Sequence, residues 1–332
     1  MTIEEVHTTI GRMNHAQTLL QILSANRDRH QSGQQLADEM GVSRTAVWKA
    51  METLRNQGHV IEGIPNRGYR LLTSTLLYSK ERLQALLPSW ELHLFDSIDS
   101  TNRYAKTLKS RKALVLACHQ SEGRGRLSRS FYSPQGGLYL SLLFPAVFPL
   151  SDASLITSAA AVAVSETIEE MCGKYCQIKW VNDLFYQNRK VCGILTEGVL
   201  GVESGRLTAV VVGIGLNLFT KREAFEDSLK TIATSLYDGE ESLPSGFSVD
   251  ALIASMVKKL EDFLATLAER TFLTAYRDRS LVIGHEVRVH AGSEEYVARA
   301  IAIDDEAHLV VENEHGERKV LSSGEVSIHL EV

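Results

Sequence analysis

The stretch that most constrains the fold is also the first with a clear period. In HAQTLLQILSANR, Leu19, Leu20, Ile22 and Leu23 form a helical stripe. Ser32 or Gly33 opens a second short helix, GQQLADEM, and Gly41 breaks it. Ser43 is placed to cap a third, RTAVWKAMETLRNQG, closed by Gly58. There Val47, Ala50, Met51 and Leu54 recur at helical spacing and should face a core. Arg44, Thr45, Trp48, Lys49 and Thr53 take the opposite face, although Trp48 fits either a core or a surface contact. HVIEGIPNRGYRLL then reads as two strands around Pro65-Asn66-Arg67-Gly68, a hairpin signal. Short helices joined by a glycine turn and followed by a hairpin spell a winged helix-turn-helix over residues 1–74.

Charge divides the chain at the same place. Residues 1–74 hold eight Lys/Arg against seven Asp/Glu, a balance of +1, whereas the remainder carries −7. The whole is therefore no general polyanion binder, but a small front module can bind nucleic acid locally. With 332 residues, 44% hydrophobic, two or three domains are expected. No apolar run reaches the roughly 18 residues of a membrane span. The first residues, MTIEEVHTTIGRMNHAQ, lack the apolar core of a secretory signal. Four cysteines without a CxxC pair argue against a disulfide scaffold or a zinc site, so a cytoplasmic address and no bound structural metal are expected.

Residues 75–90 read as a connector with an amphipathic helix, KERLQALL, ended by Pro88. Candidate strands follow: LHLFDSI, ALVLACHQ, GLYLSLLF, CQIKWVN, KVCGILTEG and LTAVVVGIGLNL. Two helices accompany them, the apolar SLITSAAAVAVSETIEEMC and the amphipathic ALIASMVKKLEDFLATL. Asp238 to Phe247 reads as a loop. Many strands with few long helices predict an α+β chain whose central domain, residues 75–278, holds a mixed or antiparallel sheet. From 279 to 332, short alternating runs predict a small barrel or sandwich of about five strands.

Four segments offer chemistry. In HQSEGRGRLSR (119–129), glycines let backbone N–H groups converge and arginines offer planar forks, which suits an anion; an ordinary basic turn has the same composition. Lys179 sits in the apolar run IKWVND and needs a counter-anion, either a protein carboxylate or a ligand. In one continuous strand, Lys179, Val181 and Asp183 would share a face. Gly213-Ile-Gly-Leu-Asn217 marks a close approach of backbone or ligand, or a β-bulge. Asp99-Ser-Thr-Asn102 is a helix cap whose hydroxyls and amide are also suited to a polar ligand. Tyr186, Lys190 and Glu197 read as a solvated strand edge.

Together these segments resemble the biotin–protein ligase family, in its bacterial bifunctional form that also represses the biotin operon. DSTN (99–102), QxxGRGR (120–126), FYSPQGGLYLSL (131–142), KWVNDL (179–184), RKVCGILTE (189–197) and GIGLNL (213–218) stand in family order. The resemblance implies a class II synthetase-like, biotin–lipoate ligase fold at the centre and an SH3-like barrel at the C-terminus. It implies ATP, biotin and Mg2+, with a biotin carboxyl carrier domain as acceptor and a biotinyl-AMP-promoted homodimer on operator DNA.

By that resemblance Lys179, Arg124 and Arg126 are catalytic. Ser100, Thr101, Asn102, Gln120, Arg124, Gly125, Arg126 and Lys179 hold biotin. Gly123, Arg126, Phe131, Asn182, Gly213, Gly215 and Asn217 hold the nucleotide. Gly33, Ser43, Arg44, Thr45, Trp48, Lys49 and Arg67 serve DNA, with Arg70 on its backbone. Leu127-Ser128 replaces the Arg-Gly of the best-known repressors, Phe131 replaces a common Trp, and IATSL (232–236) stands where some members stack a Trp on adenine. A non-catalytic biotin sensor and a lipoate-type ligase are the alternative functions.

Overall fold

A computed structural model describes residues 15–26, 29–56, 60–65, 67–73, 78–109, 112–145, 152–200, 207–244, 246–291 and 294–328. Gly58, Asn66 and the amino-terminal residues 1–14, named above, lie outside them, as do parts of the connector. These residues form two compact units, Met1–Leu77 and Tyr78–Val332.

The first unit contains α1 (His15–Ala25), α2 (Gly33–Met40), α3 (Arg44–Asn56), β1 (Val60–Ile64) and β2 (Gly68–Thr73). Ser32, rather than Gly33, caps α2: its side chain accepts from the Gln35 N–H while Gln35 reaches back to the Ser32 N–H. Ser43 Oγ accepts from the Ala46 N–H at the head of α3. Leu19, Leu23, Leu36, Val47, Met51, Leu54, Ile61 and Leu71 close one core. The hairpin β1–β2 is extended by Gln31, which exchanges two backbone hydrogen bonds with Tyr69. Gly68 makes this possible: at φ +102 a Cβ would lie 2.7 Å from Ser32 N.

The second unit starts with α4 (Lys80–Leu86), β3 (Glu91–Phe95), α5 (Thr101–Ala105), β4 (Ala113–Ala117) and β5 (Gly137–Pro145). Then come α6 (Ala153–Cys172), β6 (Gln177–Lys179), β7 (Asp183–Tyr186), β8 (Arg189–Leu200), β9 (Leu207–Asn217), α7 (Val249–Ala265) and α8 (Leu273–Asp278). Seven strands form one sheet in the order β3-β4-β5-β9-β8-β7-β6. Only β3 and β4 pair in parallel. β4 is buried at every position, as its unbroken ALVLA demands. The middle of α6, Leu155 to Ser165, is buried throughout, and the helix stops at Gly173 in the left-handed region.

CQIKWVN is not one strand. Its strand β6 stops at Lys179, Trp180–Asn182 form a turn, and the chain returns as β7, so Lys179 and Asp183 are partners across a hairpin rather than neighbours on one face. The turn is pinned from outside its own sequence. Trp180 Nε1 donates to Ala307 O at 3.0 Å, and Tyr276 Oη donates to Val181 O at 3.0 Å.

The chain ends in β10 (Glu286–Ala291), β11 (Glu294–Ile303), β12 (Leu309–Glu312), β13 (Arg318–Leu321) and β14 (Glu325–Ile328). They make a five-stranded antiparallel sheet, ordered β13-β12-β11-β10-β14. Val287, Val289, Ala298, Ala300, Ile303, Leu309, Val311, Leu321 and Val326 are buried, mostly with the two-residue alternation expected of a half-covered sheet.

Candidate functional site

A cleft opens over the glycine-bearing stretches of β8 and β9, beneath the start of α5, the loop 120–131 and the Lys179 turn. It is a concave site, partly open to solvent. Ser100, Thr101, Asn102, Gln120, Arg124, Gly125, Arg126, Phe131, Lys179, Asn182, Gly213 and Gly215 all line it. These residues come from four separated segments, and the fold alone brings them together. Among the described residues, five cationic side chains line the cleft, Arg124, Arg126, Arg129, Lys179 and Lys190, against one carboxylate, Asp183. Such a lining favours an anionic occupant.

The floor is a hydrogen-bonded polar layer. Ser100 caps α5, accepting from the Arg103 N–H. Asp99 accepts from the Ser100 N–H and from Arg103, which hold its carboxyl below the usual range. Gln120 Oε1 accepts from the Thr101 N–H at 2.9 Å and from its hydroxyl at 3.0 Å, and Gln120 Nε2 donates to Ser133 Oγ. Ser141 Oγ donates to Asn102 Oδ1 at 2.5 Å. Asn102 Nδ2 donates to Glu197 Oε2 at 2.9 Å, and Lys106 Nζ donates to Glu197 Oε1 at 2.5 Å. Ser100, Thr101 and Asn102 are buried, so these bonds stand in for lost water.

The arginine loop is a small closed hairpin. Phe131 N–H donates to Gly123 O, and Gly125 N–H donates to Arg129 O. A turn of 3-10 helix, Arg126–Ser128, forms its tip, where Leu127 adopts a positive φ and is 71% exposed. Gly123 is buried behind the loop; a Cβ there would lie 2.5 Å from Ser133 Oγ. Arg126 donates to Asn182 Oδ1 at 3.2 Å, and Asn182 Nδ2 donates to Ile194 O, tying the loop to the Lys179 turn.

The glycine pairs have distinct uses. Gly213 faces Asn102, so the amide lies against backbone where any side chain would clash. β8 and β9 stay in register there, so the segment is a close approach and not a bulge. Gly193 and Gly215 pair across the two strands and carry the Phe131 ring. Lys190 stands 5.7 Å from that ring and ion-pairs with Asp183 at 2.7 Å. Lys179 stands 5.7 Å from the Phe185 ring.

One expectation is corrected, and two site residues stand apart from the cleft lining. Lys190 is no solvated edge, because β8 there lies between β9 and β7, and Glu197 is covered instead by Asn102 and Lys106. Asn217 does not reach the cleft lining; it is buried, and Nδ2 donates to Thr234 O, anchoring the 232–236 loop. Gly123 is likewise absent from the lining and serves the loop's base. Sequence reasoning also missed Ser133, Ser141 and Lys106. A lone serine inside GLYLSLLF was the available signal. Among the described residues, no group of three or more His, Cys, Asp or Glu side chains is placed to hold a metal ion.

In the first unit, Trp48 is 55% exposed, and Arg44, Thr45, Lys49, Ser43, Gly33 and Arg67 are exposed or half-buried. Val47, Ala50, Met51 and Leu54 turn inward, which resolves Trp48 as a surface residue. Arg70 donates to Glu62 at 3.0 Å, an internal partner for a side chain expected on DNA backbone.

A cation-lined cleft on a mixed sheet, carried on one chain with a winged helix-turn-helix, defines an anion-binding domain joined to a DNA-reading module. Known proteins agree at each part. Residues 94–217 match the biotin/lipoate A/B protein ligase family, residues 15–70 a helix-turn-helix domain and residues 282–328 the biotin protein ligase C-terminal domain. The bifunctional ligase/repressor BirA of Bacillus subtilis is 33% identical over 92% of this chain and 96% of its own length. That of Escherichia coli is 29% identical over 92% and 95%. The biotin protein ligase of Aquifex aeolicus, solved with biotin and ATP, superposes with a TM-score of 0.61 at 26% identity, covering 72% of this chain and 98% of its own. The chain belongs to the bifunctional biotin ligase/repressor family.

Proposed function

We propose that the chain joins biotin to a biotin carboxyl carrier domain at the expense of ATP, and represses biotin synthesis genes when biotin is plentiful. The observation that carries this reading is the cleft itself, where five cations face one carboxylate above a floor of satisfied amides and hydroxyls. In the first step a biotin carboxylate oxygen attacks the α-phosphorus of ATP, the bond to pyrophosphate breaks, and biotinyl-5′-AMP forms. In the second, a carrier lysine attacks the acyl carbon and AMP leaves. Both the approach of two anions and the charge developing on pyrophosphate call for preorganised cations in a site that water does not fill.

Ser100, Thr101, Asn102 and Gln120 hold the biotin head group. Arg124, Arg126 and the Gly125 N–H take the carboxylate and α-phosphate, and Lys179 stands beside the reacting centre. Phe131, Asn182 and Gly215 face the nucleotide, while Gly123, Gly213 and Asn217 act indirectly through the loops and amides they support. Mg2+ enters as the counter-ion of ATP. The C-terminal strands are read as an SH3-like barrel; Gly324 and Val326 from its last turn and strand also line the cleft.

Arg44, Thr45, Trp48 and Lys49 at the head of α3 enter the major groove of operator DNA, with Gly33, Ser43 and Arg67 at its flanks. A balance of only +1 gives one module little hold on phosphates, so a dimer promoted by biotinyl-AMP supplies the affinity. No helix among the described residues is long and apolar enough to cross a membrane, and a cytoplasmic address completes the reading. The test is incubation with ATP, radiolabelled biotin and a carrier domain. Label on the carrier lysine is expected, and none at all rejects the ligase in favour of a non-catalytic sensor.

A further inference from the structure

Glu197 is a carboxylate placed against a site built for anions, and nothing in the two-step reaction uses it. It lies on β8 behind the cleft, with a side chain 19% exposed. Its three neighbours are Lys106 at 2.5 Å, Asn102 at 2.9 Å and Arg124 at 3.8 Å. Burial pushes its acidity toward the neutral form, but hydrogen bonds from Lys106 and Asn102 hold the carboxyl below its ordinary value.

An ionised carboxylate only accepts hydrogen bonds. The amide of Asn102 must therefore turn Nδ2 toward Glu197, which leaves Oδ1 toward Ser141 and obliges Ser141 to donate. Gly213 presses on the same amide from the other side and leaves it no room to swing away. Leu195 O, 3.4 Å from the same Nδ2, is a second and longer acceptor, so Glu197 is the main group that fixes the direction of the Asn102 amide. The same carboxylate draws Arg124, at the base of the arginine loop, toward that floor.

We propose that Glu197 is a positioning residue of this site, which sets the donor–acceptor polarity of Asn102 and the reach of Arg124, and so governs affinity for the biotin acid. Lys106 is its counter-ion, which balances the carboxylate's charge beneath the cleft. The inference rests on the ligase reading. A glutamine at 197 has the same shape but offers both a donor and an acceptor, so it no longer dictates which way the Asn102 amide points.

The experiment compares the wild-type chain with Glu197→Gln, Glu197→Asp and Lys106→Met. It measures biotin-dependent pyrophosphate exchange, the Kd for biotin by calorimetry without ATP, and thermal unfolding. Glu197→Gln should raise both KM and Kd for biotin about tenfold, the scale of losing one charge-assisted hydrogen bond, while KM for ATP and the maximal rate move far less. Glu197→Asp should recover part of the loss, and Lys106→Met should raise KM for biotin at unchanged KM for ATP. A folded Glu197→Gln chain with wild-type biotin affinity overturns the inference, as does a loss shared equally between biotin and ATP. If Glu197→Gln does not fold, the Lys106→Met chain decides on the same two Michaelis constants. A wild type that binds biotin but exchanges no pyrophosphate rejects the ligase reading instead, and the calorimetric comparison still decides the role of Glu197.

Discussion

Replacing Gly213 with alanine tests the packing that holds the cleft floor. A Cβ at that position would lie 2.8 Å from Asn102 Cγ and 2.9 Å from Nδ2, with Oδ1 closer still. Both strands around it are buried and in register, so the backbone has little room to retreat, and Asn102 has to move. The displaced amide loses its bond to the Glu197 carboxylate and the one it accepts from Ser141. A bond to a charged group is worth about 1.5–3 kcal/mol and a neutral one about 0.5–1.5, so the substitution should cost roughly 2–4 kcal/mol. At about 1.4 kcal/mol per tenfold, biotin should bind roughly 30- to 700-fold more weakly if the whole cost falls on the bound state.

The control is Gly173→Ala at the end of α6. There φ is +64 and nothing lies within 4 Å of a new Cβ, so only a backbone cost of about 1 kcal/mol applies. Calorimetry should find biotin affinity weakened in Gly213→Ala and unchanged in Gly173→Ala. Equal affinity in the two would refute the argument that β9 carries glycine in order to admit Asn102.

Lys179→Ala should abolish pyrophosphate exchange while leaving far-ultraviolet circular dichroism unchanged; a normal exchange rate would remove Lys179 from the chemistry. Arg44→Ala should weaken operator binding by about 1–3 kcal/mol in a gel shift if it reads a base, with ligation intact. Asp250 is buried, and its Oδ1 accepts from the Ser79 N–H at 2.7 Å, so Asp250→Ala should cost about 1–3 kcal/mol in denaturant by orphaning that donor. Burial raises the acid's folded value above 3.8, so the folded chain binds the proton more tightly. Wild-type stability then falls as pH rises through the interval between the unfolded and folded values, and stays lowered above it. Asp250→Asn keeps an acceptor without the charge, so its stability relative to wild type should increase from pH 3.5 to 7; a constant difference would show that Asp250 does not titrate differently on folding.

What the sequence made legible was local. Ser43, the period of Val47, Ala50, Met51 and Leu54, the unbroken ALVLA and the breaker Gly41 all act within a few residues of themselves. Each became the element its pattern dictated. The order of DSTN, GRGR, KWVND and GIGLN also survived as one cleft, because a sheet with β5, β9 and β8 adjacent folds those distant segments onto each other.

What stayed illegible depends on partners far along the chain. Trp180 and Val181 look like strand because they are apolar, yet they form a turn, satisfied by Ala307 and Tyr276 at separations of 127 and 95 residues. Glu197 looks solvated because it follows Thr196 and precedes Gly198, where the apolar run of β8 breaks off. What removes it from water is α5 with its C-terminal cap, whose Asn102 and Lys106 reach it across more than ninety positions. Gly213 reads equally as a bulge or a close approach until Asn102 is seen against it. A carboxylate under a cleft for anions is unfavourable when each residue is judged by its own neighbours. It becomes favourable only once Lys106 neutralises it and Asn102 uses its second oxygen, so the site's charge pattern is a property of the α5–β8 packing and not of either segment.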